Sequence, residues 1–114
     1  MTDASELAAR HCVPCEGGTP PMARGQAKAA LATLDGWSLS ADGTTITRRW
    51  DFKGFARAVQ MANVAAWLGE RQGHHPDIRF GWGYCEVAFT THAAGGLTDN
   101  DLICAARLNA ITDG

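Results

Sequence analysis

Two periods of apolar residues alternate along this chain, and together they set out its elements. Ala23 to Leu34 is rich in Ala, Leu, Lys and Gln, which favour helix, and Gly36 is placed to end that helix. Trp37 to Leu39 reads as a strand, and Asp42-Gly43 is a hairpin turn signal because glycine accepts positive φ. The next segment alternates, with Ile46, Arg48, Trp50 and Phe52 on one face and Thr45, Thr47, Arg49 and Asp51 on the other. Arg48 interrupts the apolar face, as a residue near a sheet edge would.

Gly54 to Gln72 changes to the helical period. Phe55, Ala58, Val59, Ala62, Ala65 and Ala66 form one stripe, and Met61 and Leu68 widen it to about half the circumference. Val64 and Trp67 fall in the remaining arc with Arg57, Gln60 and Asn63. Such a helix is expected to touch its own sheet and a second subunit. Gly73 can end it, and Pro76 opposes a restart. Ile78, Phe80 and Trp82 alternate as in a half-buried strand, and Gly81 and Gly83 suggest a turn before Tyr84. The strand that follows sets Cys85, Val87, Phe89 and Thr91 against Glu86, Ala88, Thr90 and His92. A glycine-bearing loop, Ala93 to Leu97, leads to Thr98-Asp-Asn-Asp101, a helix start in the capping-box register. Leu102, Ala105, Ala106, Leu108 and Ile111 supply the apolar side of that last helix.

The order helix, strand, strand, helix, strand, strand, helix, with two hairpins, predicts an α+β fold whose antiparallel sheet is covered by helices on one face. Residues 1–21 are expected to be an irregular arm, since Cys12 to Pro21 holds three prolines and two glycines. Residues 22–114 then make a single domain, which is what 114 residues allow.

Composition narrows the function classes. Apolar residues make up 46% and charged residues 19%, enough to bury a core, and the formal net charge is -2. No basic cluster suits a phosphate backbone, so nucleic acid is not an expected partner. No apolar run reaches the roughly 18 to 20 residues of a membrane span, so no membrane partner is expected either. Met1 to Arg10 carries Asp3 and Glu6 without an apolar core, unlike a secretory signal. The expected compartment is the cytoplasm, where Cys12, Cys15, Cys85 and Cys104 read first as free thiols.

Three histidines, His74, His75 and His92, carry the candidate chemistry, because imidazole gives and takes protons near neutrality. Pro76 biases His75 towards extended backbone, so the adjacent His74 and His75 should point apart and do different jobs. A polar turn after a helix is the plain alternative. Three histidines could also hold zinc. Adjacent histidines share one ion only with special backbone geometry, so that reading weighs less.

Glu70-Arg-Gln-Gly-His74-His75-Pro76, followed by Thr91-His92-Ala-Ala-Gly-Gly-Leu97-Thr98-Asp-Asn-Asp101, resembles the pterin-4a-carbinolamine dehydratases. Gly36-Trp37, the Ile46/Trp50/Phe52 strand and Phe52-Lys-Gly-Phe55 extend the likeness, which covers roughly residues 20 to 112. The resemblance implies a four-stranded antiparallel sheet with helices on one face, and a homodimer or homotetramer. It implies dehydration of 4a-hydroxytetrahydrobiopterin, or a related 4a-hydroxytetrahydropterin, to the quinonoid dihydropterin. That reaction recycles the pterin used by aromatic amino acid hydroxylases, and it needs neither metal nor other cofactor. Carried onto this chain, the catalytic candidates are His74, His75 and His92. His74 and His92 are the acid/base pair, while His75 binds and orients the pterin. Glu70 would bind an imidazole or the pterin's amino edge. Asp101 either supports His92 or, the favoured reading, caps the last helix. Two departures stand out: Gly73 sits where many members have Asp or Asn, and Gly81 and Gly83 replace bulkier residues.

Three other readings compete. The chain could be a non-enzymatic dimerisation or assembly partner on the same fold. It could be a metal-binding module using His11, Cys12 and Cys15, or the three C-terminal histidines. It could act on a different pterin, including one of molybdenum cofactor metabolism.

Overall fold

The computed structural model describes residues 3–14 and 19–113. Its elements are α1 (Ala4–Ala8), α2 (Arg24–Leu31), β1 (Ser38–Leu39), β2 (Ile46–Asp51), α3 (Phe55–Gln72), β3 (Asp77–Gly81), β4 (Tyr84–Phe89), a 3-10 turn (His92–Ala94) and α4 (Asp99–Asp113). The four strands form one antiparallel sheet in the order β1-β2-β4-β3. The fold is α+β, and the two hairpins lie where the turn signals place them, at Gly43 and Gly83, both with positive φ.

Register explains which face is buried. Ile46 pairs with Phe89, Arg48 with Val87 and Trp50 with Cys85. The period-two pattern of β2 therefore falls on the same face as that of β4. Ile46, Cys85, Val87 and Phe89 are closed to solvent and meet Met61, Ala62, Ala65 and Leu68 of α3 and Leu102, Cys104, Ala105 and Leu108 of α4 in one core. The opposite face carries Thr47, Arg49, Glu86 and Ala88, all at least partly exposed.

Arg48 does not mark an edge. It sits on β2, an inner strand, and faces the core side with its side chain only 14% exposed. Its guanidinium lies 4.5 Å from the centroid of Trp50 and is bonded to Asn109 Oδ1 at 2.5 Å and to both Asp113 oxygens at 2.7 and 3.1 Å. A charge under the sheet is tolerated because its donors are matched by the end of α4.

The buried stripe of α3 is rotated from the expected one. Ala58, Met61, Ala62, Ala65, Leu68 and Gly69 are buried, whereas Phe55 is 52% exposed and Ala66 faces solvent. Phe55 instead meets Phe80 of the neighbouring hairpin, with centroids 6.1 Å apart.

The arm is more ordered than its prolines suggest. Asp3 caps α1 by accepting from the Glu6 amide, and Leu7 is buried on the core. Further along, Asn100 clasps the backbone of Val13, accepting from its N–H at 3.1 Å and donating to its carbonyl at 2.6 Å. Arg107 Nε donates to the Arg10 carbonyl at 2.6 Å. Sequence periodicity is blind to such contacts because both partners are polar.

Candidate active site

The last turn of α3 carries the His-His-Pro segment to the mouth of a cleft. Gly73 caps α3 in the left-handed region at φ 65, which glycine adopts without strain and Asp or Asn tolerate best among the other residues. Gly69 fits one turn earlier because a Cβ there would lie 2.5 Å from Pro76 Cδ and 3.2 Å from the His74 carbonyl oxygen.

The two adjacent histidines part company. His74 turns inward, its side chain 12% exposed and its ring stacked on Phe89 with an interplanar angle of 13°. His75 turns outward, 67% exposed, with Nε2 2.8 Å from Glu70 Oε1. Glu70 is thus engaged by an imidazole, that of His75.

Asp101 lies beneath His74 with no exposed surface, its Oδ1 2.5 Å from His74 Nε2. The other oxygen accepts from the Thr91 hydroxyl at 2.7 Å and from the Thr98 amide at 2.9 Å. The Thr98 amide belongs to the residue before α4, so Asp101 does cap the helix from its third position. The histidine it supports, however, is His74 and not His92. His92 opens the 3-10 turn and stands exposed. The reason is register: Thr91 is on the buried face of its segment, so its neighbour His92 points outward.

The carboxylate favours the charged form of the inner imidazole. Hydrogen bonding to Asp101 raises the His74 pKa above the ordinary histidine value, against the opposing effect of burial. Closing Asp101 from water strengthens this, since the pair is poorly screened.

Glu70, His74, His75 and His92 all line one cleft of about 650 Å³, together with Cys12, Val13, Pro14, Gln72, Thr90, Thr91 and Asn100. Asp101 lies behind its wall. The arm's share of that wall escapes a sequence reading, and so does Gln72, whose side-chain Oε1 accepts from the Cys12 amide at 2.9 Å. Thr91 stood in the motif without a role; its spacing to Asp101 is the signal that could have given it one. Among the described residues no three His, Cys, Asp or Glu side chains gather as a metal-holding group. Cys15 of the arm thiol pair lies outside the described residues.

The α+β fold thus presents an inner histidine on a buried carboxylate and two further histidines at the rim of one cleft, side chains of the kind that can give and take protons. The comparisons narrow this chemistry. The family model for pterin 4 alpha carbinolamine dehydratase matches residues 20–111. A Paracoccus denitrificans protein is 55% identical over 83% of this chain and 89% of its own length, and one from Nitrosospira multiformis is 40% identical over 96% of each. Both carry the name pterin-4-alpha-carbinolamine dehydratase provisionally. A crystal structure from Brucella melitensis, described as a transcriptional coactivator/pterin dehydratase, superposes with a TM-score of 0.73 at 32% identity, covering 80% of this chain and 97% of its own. The chain belongs to the pterin 4 alpha carbinolamine dehydratase family. No helix of the described residues is long and apolar enough to cross a membrane.

Proposed function

We propose that this protein dehydrates a 4a-hydroxytetrahydropterin, such as 4a-hydroxytetrahydrobiopterin, to the quinonoid dihydropterin. The observation that carries the reading is the His74–Asp101 pair at the floor of a cleft rimmed by His75 and His92. The reaction breaks the C4a–O bond, takes the N5 proton and forms the C4a–N5 double bond. Water leaves once its oxygen gains a proton. His74, whose protonated form is favoured by the buried Asp101, is suited to donate that proton. His92, which makes no ion pair among the described residues, takes the proton from N5. His75 and Glu70 orient the pterin at the rim, where the Glu70 carboxylate can also meet the ring's amino edge.

In this reading the protein recycles the pterin of an aromatic amino acid hydroxylase in the cytoplasm, and needs no metal or cofactor for the step. It works as a homodimer or homotetramer. The face formed by Val64, Trp67 and Ile111 supports assembly, Trp67 and Ile111 being 56% and 49% exposed. The same face favours a second reading, a dimerisation or assembly partner, to which the coactivator description of the Brucella protein adds weight.

The test is a rapid-mixing assay of quinonoid dihydropterin formation from freshly generated 4a-hydroxytetrahydropterin, with the uncatalysed dehydration run alongside. Acceleration by the chelator-treated protein supports the dehydratase. A folded protein that gives no acceleration sinks it and leaves the partner role in front.

A further inference from the structure

One pair of reactive groups is not used by the mechanism. Cys12 Sγ and Cys104 Sγ lie 3.5 Å apart, brought together from positions 92 residues apart in the chain. Cys104 is closed to solvent in α4, while Cys12 is half-buried and lines the cleft. The contact is supported on both sides: the Cys12 amide donates to Gln72 Oε1 at 2.9 Å, and the next residue, Val13, is clasped by Asn100. The two sulfurs therefore face each other as a consequence of how the arm docks.

We propose that Cys12 and Cys104 form a peroxide-sensitive disulfide that latches the arm, and with it one wall of the cleft, onto α4. Hydrogen peroxide is the oxidant. The Cys12 thiolate attacks one peroxide oxygen, the O–O bond breaks, and hydroxide leaves with a sulfenic acid on Cys12. The Cys104 thiol then attacks that sulfur and expels its oxygen as water. In sum, two thiols and one peroxide give one disulfide and two waters, each sulfur losing one electron.

The division of labour follows from the surroundings. Cys12 is the attacking group because it is the accessible one, and its contact with the Cys104 thiol lowers the Cys12 pKa despite burial. The same contact together with burial pushes the Cys104 thiol up, so Cys12 is the first of the two to meet peroxide. A loop this long also makes the bond worth forming, because the cross-link restrains a large part of the unfolded chain.

The inference stands independently of the reaction catalysed, since its readouts are thiols and cross-links. The full-length protein is treated with hydrogen peroxide, the remaining thiols are alkylated, and the digest is mapped without reduction. The expected product joins Cys12 to Cys104, with two fewer free thiols and a melting temperature higher by on the order of 10 °C. Dithiothreitol reverses both changes. The cross-link persists in Cys15→Ala and is lost in Cys104→Ala. A bond from Cys12 to Cys15 overturns the proposal, as does Cys12 accumulating as a sulfinic acid while Cys104 remains alkylatable, or no oxidation at all. The map of the unsubstituted protein decides the matter even where a variant folds poorly.

Discussion

Asp101 Oδ1 stands 2.5 Å from His74 Nε2, and nothing of that aspartate reaches solvent. A buried carboxylate is costly unless its lone pairs are filled, and here His74, Thr91 and the Thr98 amide fill them. The relationship ties the chemistry of the cleft to the stability of α4.

The first consequence concerns pH. The folded-state pKa of His74 lies above that of a free imidazole, about 6.5. Its contribution to stability is therefore complete below that value and is lost as pH climbs through the raised, folded-state value. Chemical-shift titration of the His74 ring should give a midpoint above the ordinary one, and Asp101→Asn should lower it. A midpoint unmoved by Asp101→Asn would detach the carboxylate from the histidine.

Removing the carboxylate should also cost stability. Asp101→Ala leaves the Thr91 hydroxyl and the Thr98 amide without their acceptor, and a destabilisation of about 2–4 kcal/mol is expected in urea unfolding. Glu70→Ala is the contrast. Its bond to His75 is exposed on both sides, so the loss should stay under about 1 kcal/mol. Equal costs for the two would contradict the difference in burial.

Turnover should separate the histidines. If His74 and His92 move protons, His74→Ala and His92→Ala each lower kcat by about 10² or more. His75→Ala should act chiefly on KM, since its place in the reading is to orient the pterin. Near-normal kcat in both of the first two variants would end the acid/base assignment.

Phe89→Ala removes a ring that has no exposed surface and that lies against both His74 and Trp37. The expected cost is about 3–5 kcal/mol. Phe89→Leu keeps most of the volume and should cost about 1.5 kcal/mol or less. A near-neutral Phe89→Ala would show that the site collapses around the gap.

Gly69→Ala tests the support of the His-His-Pro segment. The added methyl meets Pro76 Cδ and the His74 carbonyl, neither of which is the end of a flexible side chain. The change should destabilise by about 1–3 kcal/mol and lower activity by displacing His74. A stable, fully active variant would show that the segment can shift at no cost.

Much of this was legible in the sequence because it rests on period. Cys85, Val87 and Phe89 alternate and are buried, and Gly43 and Gly83 turn where a hairpin must. The left-handed cap at Gly73 was readable for the same reason, as a local demand with a local signature. What escaped was long-range and polar. Arg48 interrupts an apolar face, and only the fold brings Asn109 and Asp113 beneath it. The capping role of Asp101 is local, three residues from Thr98, and could be read; its bond to His74 spans 27 residues and could not. The stripe of α3 was misjudged at Phe55 and Ala66, because a helical wheel gives a direction without saying where the sheet lies.

The partners of Asp101 divide by range, and that division has a diagnostic use. A compact mild-denaturant state that keeps its helices but loses fixed packing would retain the Thr98 contact, which needs only one turn of α4. It would lose His74 and Thr91, which reach Asp101 from other segments. The titration midpoint of one imidazole would then fall back to its free value while the far-ultraviolet dichroism stayed nearly native. His74 is in this sense an internal gauge of side-chain order, able to tell a liquid-like interior from a crystalline one without reference to catalysis.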